Sequence, residues 1–187
     1  MMGLFLDRDG ILLESSYVAG QHRSARSVSE MRLIAGVRES LELLAAHMKL
    51  IVVTNQPDVA RGLLDSQELE RMHAELKSLL PPLTAVFYCP HDDSTSCDCR
   101  KPRPGMLLSA ARQYGLDLRR SWMVGDRWSD VCAGKAAGCR TAFVNYQYAE
   151  PLTCSPDFAA QTASAALSTI QQMLSNESYA TQDVSPR

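Results

Sequence analysis

Leu4-Phe5-Leu6-Asp7-Arg8-Asp9-Gly10 decides the fold of this chain. Three apolar residues in a row, ending abruptly at a charge, suit a buried strand of a parallel sheet. The two carboxylates that follow are separated by one residue, so in a non-helical loop both can converge on one site. One can attack phosphorus while the other handles protons. Gly10 permits a tight turn and close backbone approach. Taken alone, the tetrapeptide from Asp7 to Gly10 also suits a solvated acidic turn.

Four further apolar runs share this grammar. Leu50-Ile51-Val52-Val53 ends at Thr54-Asn55, Ala85-Val86-Phe87-Tyr88 at Cys89, Trp122-Met123-Val124 at Gly125-Asp126, and Thr141-Ala142-Phe143-Val144 at Asn145. Helical spacing fills the gaps. Val37, Leu41, Leu44, Ala45 and Met48 form one stripe, and Leu69, Met72, Leu76 and Leu79 another. Asp65 and Glu68 suit a capping box for the second, and Pro81-Pro82 stops it. Pro104 to Tyr114 reads as a helix closed by Gly115. Ser129 suits the cap of another, ending at Gly138. Leu167, Ile170, Met173 and Leu174 mark a last helix. Alternating strands and helices imply an α/β fold with a doubly wound parallel sheet, as one domain over 1–174 followed by a polar, frayed tail over 175–187. Ligands of such sheets bind beyond the carboxyl ends of the strands, where Asp7, Thr54, Asn55 and Asp126 all fall.

The chemistry at these ends is consistent. Thr54 and Asn55 offer a hydroxyl, an amide and N–H groups to phosphate oxygens. Lys101, before the third helix, can neutralise phosphate charge. Asp126, with Asp130 behind it, would complete with Asp7 a hard oxygen site for Mg²⁺. Each signal alone has a plainer explanation as a turn, a basic pair or a helix cap, but four in order after successive strands are hard to obtain by chance. Cys89, His91, Cys97 and Cys99 offer three thiolates and an imidazole, a set suited to tetrahedral Zn²⁺. No third group orients a catalytic Cys/His pair there.

The 187 residues suit one domain with a real core, and a net charge of −2 gives no general attraction to nucleic acid or acidic membrane. No apolar run approaches the roughly 18 residues that cross a bilayer. The start of the chain lacks the basic leader of a signal peptide, so the expected compartment is cytoplasmic. Disulfides are then not expected, and Cys132, Cys139 and Cys154 read as isolated core or surface thiols.

From Leu4 to about Leu174 the sequence resembles the haloacid dehalogenase superfamily of phosphotransferases. The four motifs of that superfamily match Asp7-Arg8-Asp9-Gly10, Thr54, Lys101 and the segment from Gly125 to Asp130. Within it, the chain is most similar to the D-glycero-D-manno-heptose-1,7-bisphosphate 7-phosphatases and the related histidinol phosphatases. The points of similarity are Phe5 to Gly10, Val53-Thr54-Asn55-Gln56 with Ala60-Arg61-Gly62, and Cys97 to Pro102 with Pro104 to Leu107. The resemblance implies that Asp7 is the nucleophile and Asp9 the acid and then the base. It places Mg²⁺ on Asp7, the Asp9 carbonyl and Asp126, with Asp130 orienting the metal shell. Thr54 and Lys101 hold the phosphate, with Asn55 nearby, and the cysteine loop carries structural zinc. Sugar metabolism serving lipopolysaccharide heptose is the implied setting.

From Asp9 to Thr54, and from Thr54 to Lys101, there is room for a helix, a strand and the cysteine loop but not for a large cap domain. Loops must then set specificity. Ser15 to Met31, with Tyr17, His22, Arg23 and Arg26, suits a flap or hairpin near the site. Arg100 and Arg127, beside motif residues, are the favoured partners for substrate anions. Ile11, Leu13 and Pro57-Asp58 depart from the usual Thr, Asn and Ser-Gly of the resembled enzymes. The expected substrate is a small phosphorylated metabolite, a sugar bisphosphate first and histidinol phosphate or another phosphosugar second, handled by a monomer. The non-enzymatic alternative is a zinc-stabilised phosphate-binding module.

Overall fold

The computed structural model describes residues 1–18, 21–148 and 150–182. The side chains of Tyr17 and His22, and the end of the expected tail at 183–187, lie outside the described residues.

Six strands form one parallel sheet: β1 Met2–Leu6, β4 Met48–Asn55, β5 Leu83–Cys89, β6 Trp122–Gly125, β7 Arg140–Val144 and β8 Phe158–Ala160, in the order β5-β4-β1-β6-β7-β8. A separate antiparallel hairpin, β2 Ser16–Val18 with β3 Gln21–Arg23, occupies the expected flap. The helices are α1 Val37–Leu44, α2 Pro57–Ala60, α3 Ser66–Leu79, α4 Gly105–Tyr114, α5 Trp128–Ala137 and α6 Ala163–Gln182.

Side-chain alternation along β1 divides the core. Leu4 and Leu6 face a cluster built with α1, α3 and α6, whereas Phe5 faces a smaller cluster with α4 and α5. Residues on both faces are fully buried, which is why the strands read as unbroken apolar runs. Strand order reverses at β1, which has β4 on one side and β6 on the other. The carboxyl ends of these three strands therefore meet at the switch point of the sheet.

Several boundaries differ from the sequence reading. Met48 begins β4, because α1 stops at Leu44 and the chain turns within three residues. Asp65 caps α3, but the Glu68 carboxylate accepts from the Val28 N–H instead of closing a capping box. The first turn of α5 is held by Asp130, whose Oδ2 accepts from the Arg127 N–H at 3.0 Å; Ser129 lies inside that turn. α6 runs on to Gln182, so residues 175–182 are helical. β8 was not expected, since Phe158-Ala159-Ala160 is too short to signal a strand. Cys132 and Cys154 are joined in a disulfide with Cα atoms 5.4 Å apart, contrary to the expectation of isolated thiols. They are remote in sequence, and the loop after β7 folds back onto α5 to bring them together. Cys139 is a buried free thiol, as expected. Among the described residues, no helix is long and apolar enough to cross a membrane.

Leu50 is fully buried in β4 between β1 and β5. Leu50→Ala is expected to cost about 2–5 kcal/mol of stability, measured by urea unfolding; a loss below about 1 kcal/mol would contradict this placement of the core.

Candidate active site

The switch point opens into a cleft of about 1000 Å³ whose lining includes Asp7, Asp9, Thr54, Lys101, Asp126 and Asp130. All the motif residues singled out in the sequence thus come together. Asp7 follows β1, and its N–H donates to the Val124 carbonyl of β6 at 3.0 Å. Its Oδ1 accepts from the Arg8 N–H at 2.8 Å and from Lys101 Nζ at 2.9 Å. Oδ2 has no hydrogen bond to the described residues.

Lys101 is 3% exposed; its ammonium donates to Asp7 and to the Val53 carbonyl at 2.7 Å and forms an ion pair with Asp130 Oδ1 at 2.6 Å. Burial pulls its pKa down, but Asp130 and Asp7 more than offset this and hold the ammonium charged. Both ends of the Asn55 amide clasp the Lys101 main chain, each at 3.0 Å. The structure thus uses Asn55 to set the lysine, a role distinct from the phosphate contact expected of it.

Two glycines make room for the acids. Gly10 has φ of 86°, and a Cβ there would collide with the Asp126 carboxylate. A Cβ on Gly125 would collide with the Asp130 side chain. Tyr146 donates to the Gly10 carbonyl at 3.0 Å, and Tyr148 hydrogen-bonds Asp126. Neither tyrosine stood out in the sequence, because both lie beyond the last motif.

Asp7, Asp126 and Asp130 place carboxylate oxygens within 4.8 Å of one another. Asp126 Oδ1 is buried with no hydrogen-bond partner among the described residues. Burial, opposed by the Lys101 ammonium and reinforced by Asp130 and Asp9, pushes the Asp7 carboxyl from 3.8 up to about 6. Asp126 is raised well above 3.8, first by burial and then by Asp7 and Asp130. Once all three are ionised, three carboxylates against one ammonium leave two negative charges uncompensated, and hard oxygens with that balance fit a divalent cation such as Mg²⁺.

The cysteine cluster is a second candidate metal site. Cys89 Sγ lies 3.5 Å from His91 Nδ1 and 3.7 Å from Cys97 Sγ; Cys99 Sγ lies 3.4 Å from His91 Nδ1 and 3.5 Å from Cys97 Sγ. These separations match the edges, roughly 3.4–3.8 Å, of a tetrahedron of N and S ligands about Zn²⁺. Burial pushes the Cys89 thiol up to about 12, so its thiolate needs a cation beside it. The loop leads directly into Arg100 and Lys101.

Most arginines of the rim are already paired. Arg100 donates to Asp93 at 2.8 and 3.0 Å, and Arg127 donates to Glu150 at 2.7 and 2.5 Å. Arg26 of the flap segment reaches Asp58 at 2.7 Å, and Arg61 lies 3.5 Å from Asp58 and 3.6 Å from Asp93. A substrate anion therefore competes with these carboxylates for the arginines, which a sequence cannot show.

The HAD-hydrolase-like family model matches residues 98–164. The D-glycero-beta-D-manno-heptose-1,7-bisphosphate 7-phosphatase of Pseudomonas aeruginosa is 38% identical over 148 residues, covering 75% of this chain and 79% of that protein. The chain belongs to the haloacid dehalogenase-like hydrolases, in the family of the heptose-1,7-bisphosphate 7-phosphatases. The Escherichia coli K12 member is 33% identical over 187 residues, covering 93% of this chain and 94% of that protein. The crystal structure of D,D-heptose 1,7-bisphosphate phosphatase from B. bronchiseptica, complexed with magnesium and phosphate, superposes with a TM-score of 0.78. It is 29% identical, over 92% of this chain and 99% of that one. The family resemblance and the α/β fold with one parallel sheet expected from the sequence both hold.

Two outcomes follow for the metal sites. In the unfolded chain Asp7 ionises near 3.8, in the folded chain near 6. Cation-free stability from this group is therefore lost as pH rises through about 6. His73 works in the opposite sense, because burial, and then Arg8, hold its pKa down at about 4. The Mg²⁺-induced rise in Tm removes the His73 contribution common to both states; it is expected to be small at pH 5 and to grow above pH 6. A pH-independent rise would contradict the carboxylate site. Ser at both Cys97 and Cys99 is expected to abolish zinc retention in elemental analysis and to lower Tm; undiminished zinc would refute the tetrahedral assignment.

Proposed function

We propose that this chain hydrolyses the C7 phosphate of a D-glycero-D-manno-heptose 1,7-bisphosphate through a phosphoryl group held transiently on Asp7. The observation that carries the reading is the division of labour between two neighbouring carboxylates. Asp7 is fixed at Oδ1 by Lys101 and the Arg8 N–H, with Oδ2 unengaged among the described residues, whereas Asp9 is held apart from it by Arg8 and Gln56.

Asp7 Oδ2 attacks phosphorus, forming the Asp7 O–P bond as the bond to the sugar oxygen breaks. Asp9 gives its proton to the departing alkoxide, a poor leaving group without one. Asp9 then takes a proton from water as that water attacks phosphorus, releasing inorganic phosphate and restoring Asp7. Thr54 and the Lys101 ammonium face the phosphoryl oxygens and lower the negative charge felt by the nucleophile. Asp7, the Asp9 carbonyl and Asp126, with Asp130 behind, would hold Mg²⁺, which would supply the electrophilic charge that lets two anions approach. Cys89, His91, Cys97 and Cys99 would hold Zn²⁺, which would stiffen the segment that delivers Arg100 and Lys101.

The substrate follows from the cleft and the relatives. With loop walls and no large cap, the cleft admits a polyol chain to Asp7. Arg61, Arg100, Arg103 and Arg127 on its rim suit a second phosphate. The relatives of P. aeruginosa and E. coli are named for the β anomer, which supports β as the preferred form here. Exposed large apolar side chains among the described residues are scattered at Met1, Leu43, Leu63 and Leu152, in keeping with a monomer, and a cytoplasmic setting belongs to the same reading.

Asp7→Asn is expected to lower turnover by roughly 10³-fold or more. Comparing kcat/KM among both bisphosphate anomers, the heptose 7-monophosphate and histidinol phosphate tests the substrate. The β bisphosphate is expected to lead the monophosphates by roughly tenfold to a hundredfold, from one charged hydrogen bond of about 1.5–3 kcal/mol. Monophosphates equal to or better than both bisphosphates would overturn the heptose reading and leave the phosphatase.

A further inference from the structure

Gln56 follows the Thr54-Asn55 pair and takes no part in the proton and phosphoryl transfers described above. It is 3% exposed, and its amide touches three residues of the site. Oε1 accepts from Arg8 Nη2 at 2.8 Å, and Nε2 donates to Asp9 Oδ2 at 3.0 Å and to Thr54 Oγ1 at 2.8 Å. The orientation of this amide has a physical cause. A guanidinium carries only donors, so the atom facing Arg8 must be the amide oxygen. The NH₂ group is thereby turned toward Asp9 and Thr54.

Arg8 is itself 1% exposed, and its Nε and Nη2 reach the Asp9 carboxylate at 3.0–3.2 Å. It cannot rotate away without stranding a buried cation. The base of the Gln56 side chain is fixed as well, since its N–H donates to the Cys89 carbonyl at 2.7 Å. The amide is therefore held at both ends, with two donors aimed into the site. It also suits a group that changes protonation during the cycle. An amide NH₂ can donate to a carboxylate oxygen and equally to the carbonyl oxygen of the protonated acid.

We propose that Gln56 is a positioning residue, oriented by Arg8, that aims the Asp9 carboxyl at the leaving-group oxygen and ties that aim to the phosphate-facing Thr54. The proposal rests on the reading of Asp9 as the proton donor. Its signature is dependence on the leaving group, because dinitrophenolate departs without a proton while a sugar alkoxide needs one.

The test uses the full chain in Mg²⁺, with enzyme in excess, and follows first-turnover leaving-group release from dinitrophenyl phosphate and from the heptose bisphosphate. Gln56→Met keeps the length of the side chain and removes both polar ends; Gln56→Asn keeps an amide and shortens its reach. In both, the ratio of the sugar rate to the dinitrophenyl rate is expected to fall by roughly 10- to 100-fold, a part of what general acid catalysis supplies. Partial misfolding lowers the two rates together and leaves the ratio alone. A ratio within twofold of the parent in both variants would overturn the proposal. Asp9→Asn separates the two ideas. If it lowers the ratio while the Gln56 variants do not, the proposal fails and the role of Asp9 stands. If Asp9→Asn also leaves the ratio unchanged, both fall.

Discussion

The buried Lys101 ammonium is the constraint on which the site depends. Taking a cation out of water is tolerable only when acceptors and opposite charge surround it, and here the ammonium donates to Asp7 and the Val53 carbonyl and forms an ion pair with Asp130. Each acceptor comes from a different part of the sheet: the end of β1, the last turn of β4 and the first turn of α5. One side chain thus fixes the separation of three elements around the switch point. Asn55 holds the lysine main chain in register with β4, and the cysteine loop supplies the approach. Removing Asp7 or Asp130 would strand the lysine as well as remove an acid.

Around that centre the site divides into corners with different electrostatics. The Asp126 corner is crowded with carboxylates and bordered by the Gly10 turn and two tyrosines. Its excess negative charge gives a divalent cation a physical reason to bind. The Asp9 corner has its own buried cation, Arg8, and its own amide, Gln56. In the proposed mechanism, proton transfer and metal charge would thereby fall to separate groups only a few residues apart. The rim is a third zone, where Arg26, Asp58, Arg61, Asp93 and Arg100 form a chain of ion pairs. Asp58 stands at a departure from the usual Ser-Gly of the resembled enzymes, and it links the flap segment to α2.

Much of this was legible in the sequence, for identifiable reasons. Five of the six strands stood out because they carry continuous apolar runs ending at polar residues, and β1, β4 and β6 are buried on both faces. Cys89, His91, Cys97 and Cys99 stood out because soft ligand types at close spacing have few other uses. What escaped was tertiary. Arg8 looked like a spacer between two aspartates, and only burial shows it as a counterion. Gln56 was visible in a motif, but its partners lie 47 and 48 positions away. The pairing of Arg127 with Glu150, the disulfide of Cys132 with Cys154 and the third partner of Lys101 depend on how loops fold back over the sheet, which periodicity does not encode. Met48 and Ser129 were misplaced because a stripe or a cap residue marks an element without fixing its end.

The most direct test of the account is covalent capture on Asp7. In Asp9→Asn the second step loses its base, so a substrate with a good leaving group should phosphorylate the enzyme faster than water can clear it. Acid quenching followed by peptide mass spectrometry is predicted to find one phosphoryl group per chain, on the peptide that contains Asp7. Release of the leaving group with no phosphorylated peptide, or a phosphoryl group on any other residue, would contradict the mechanism.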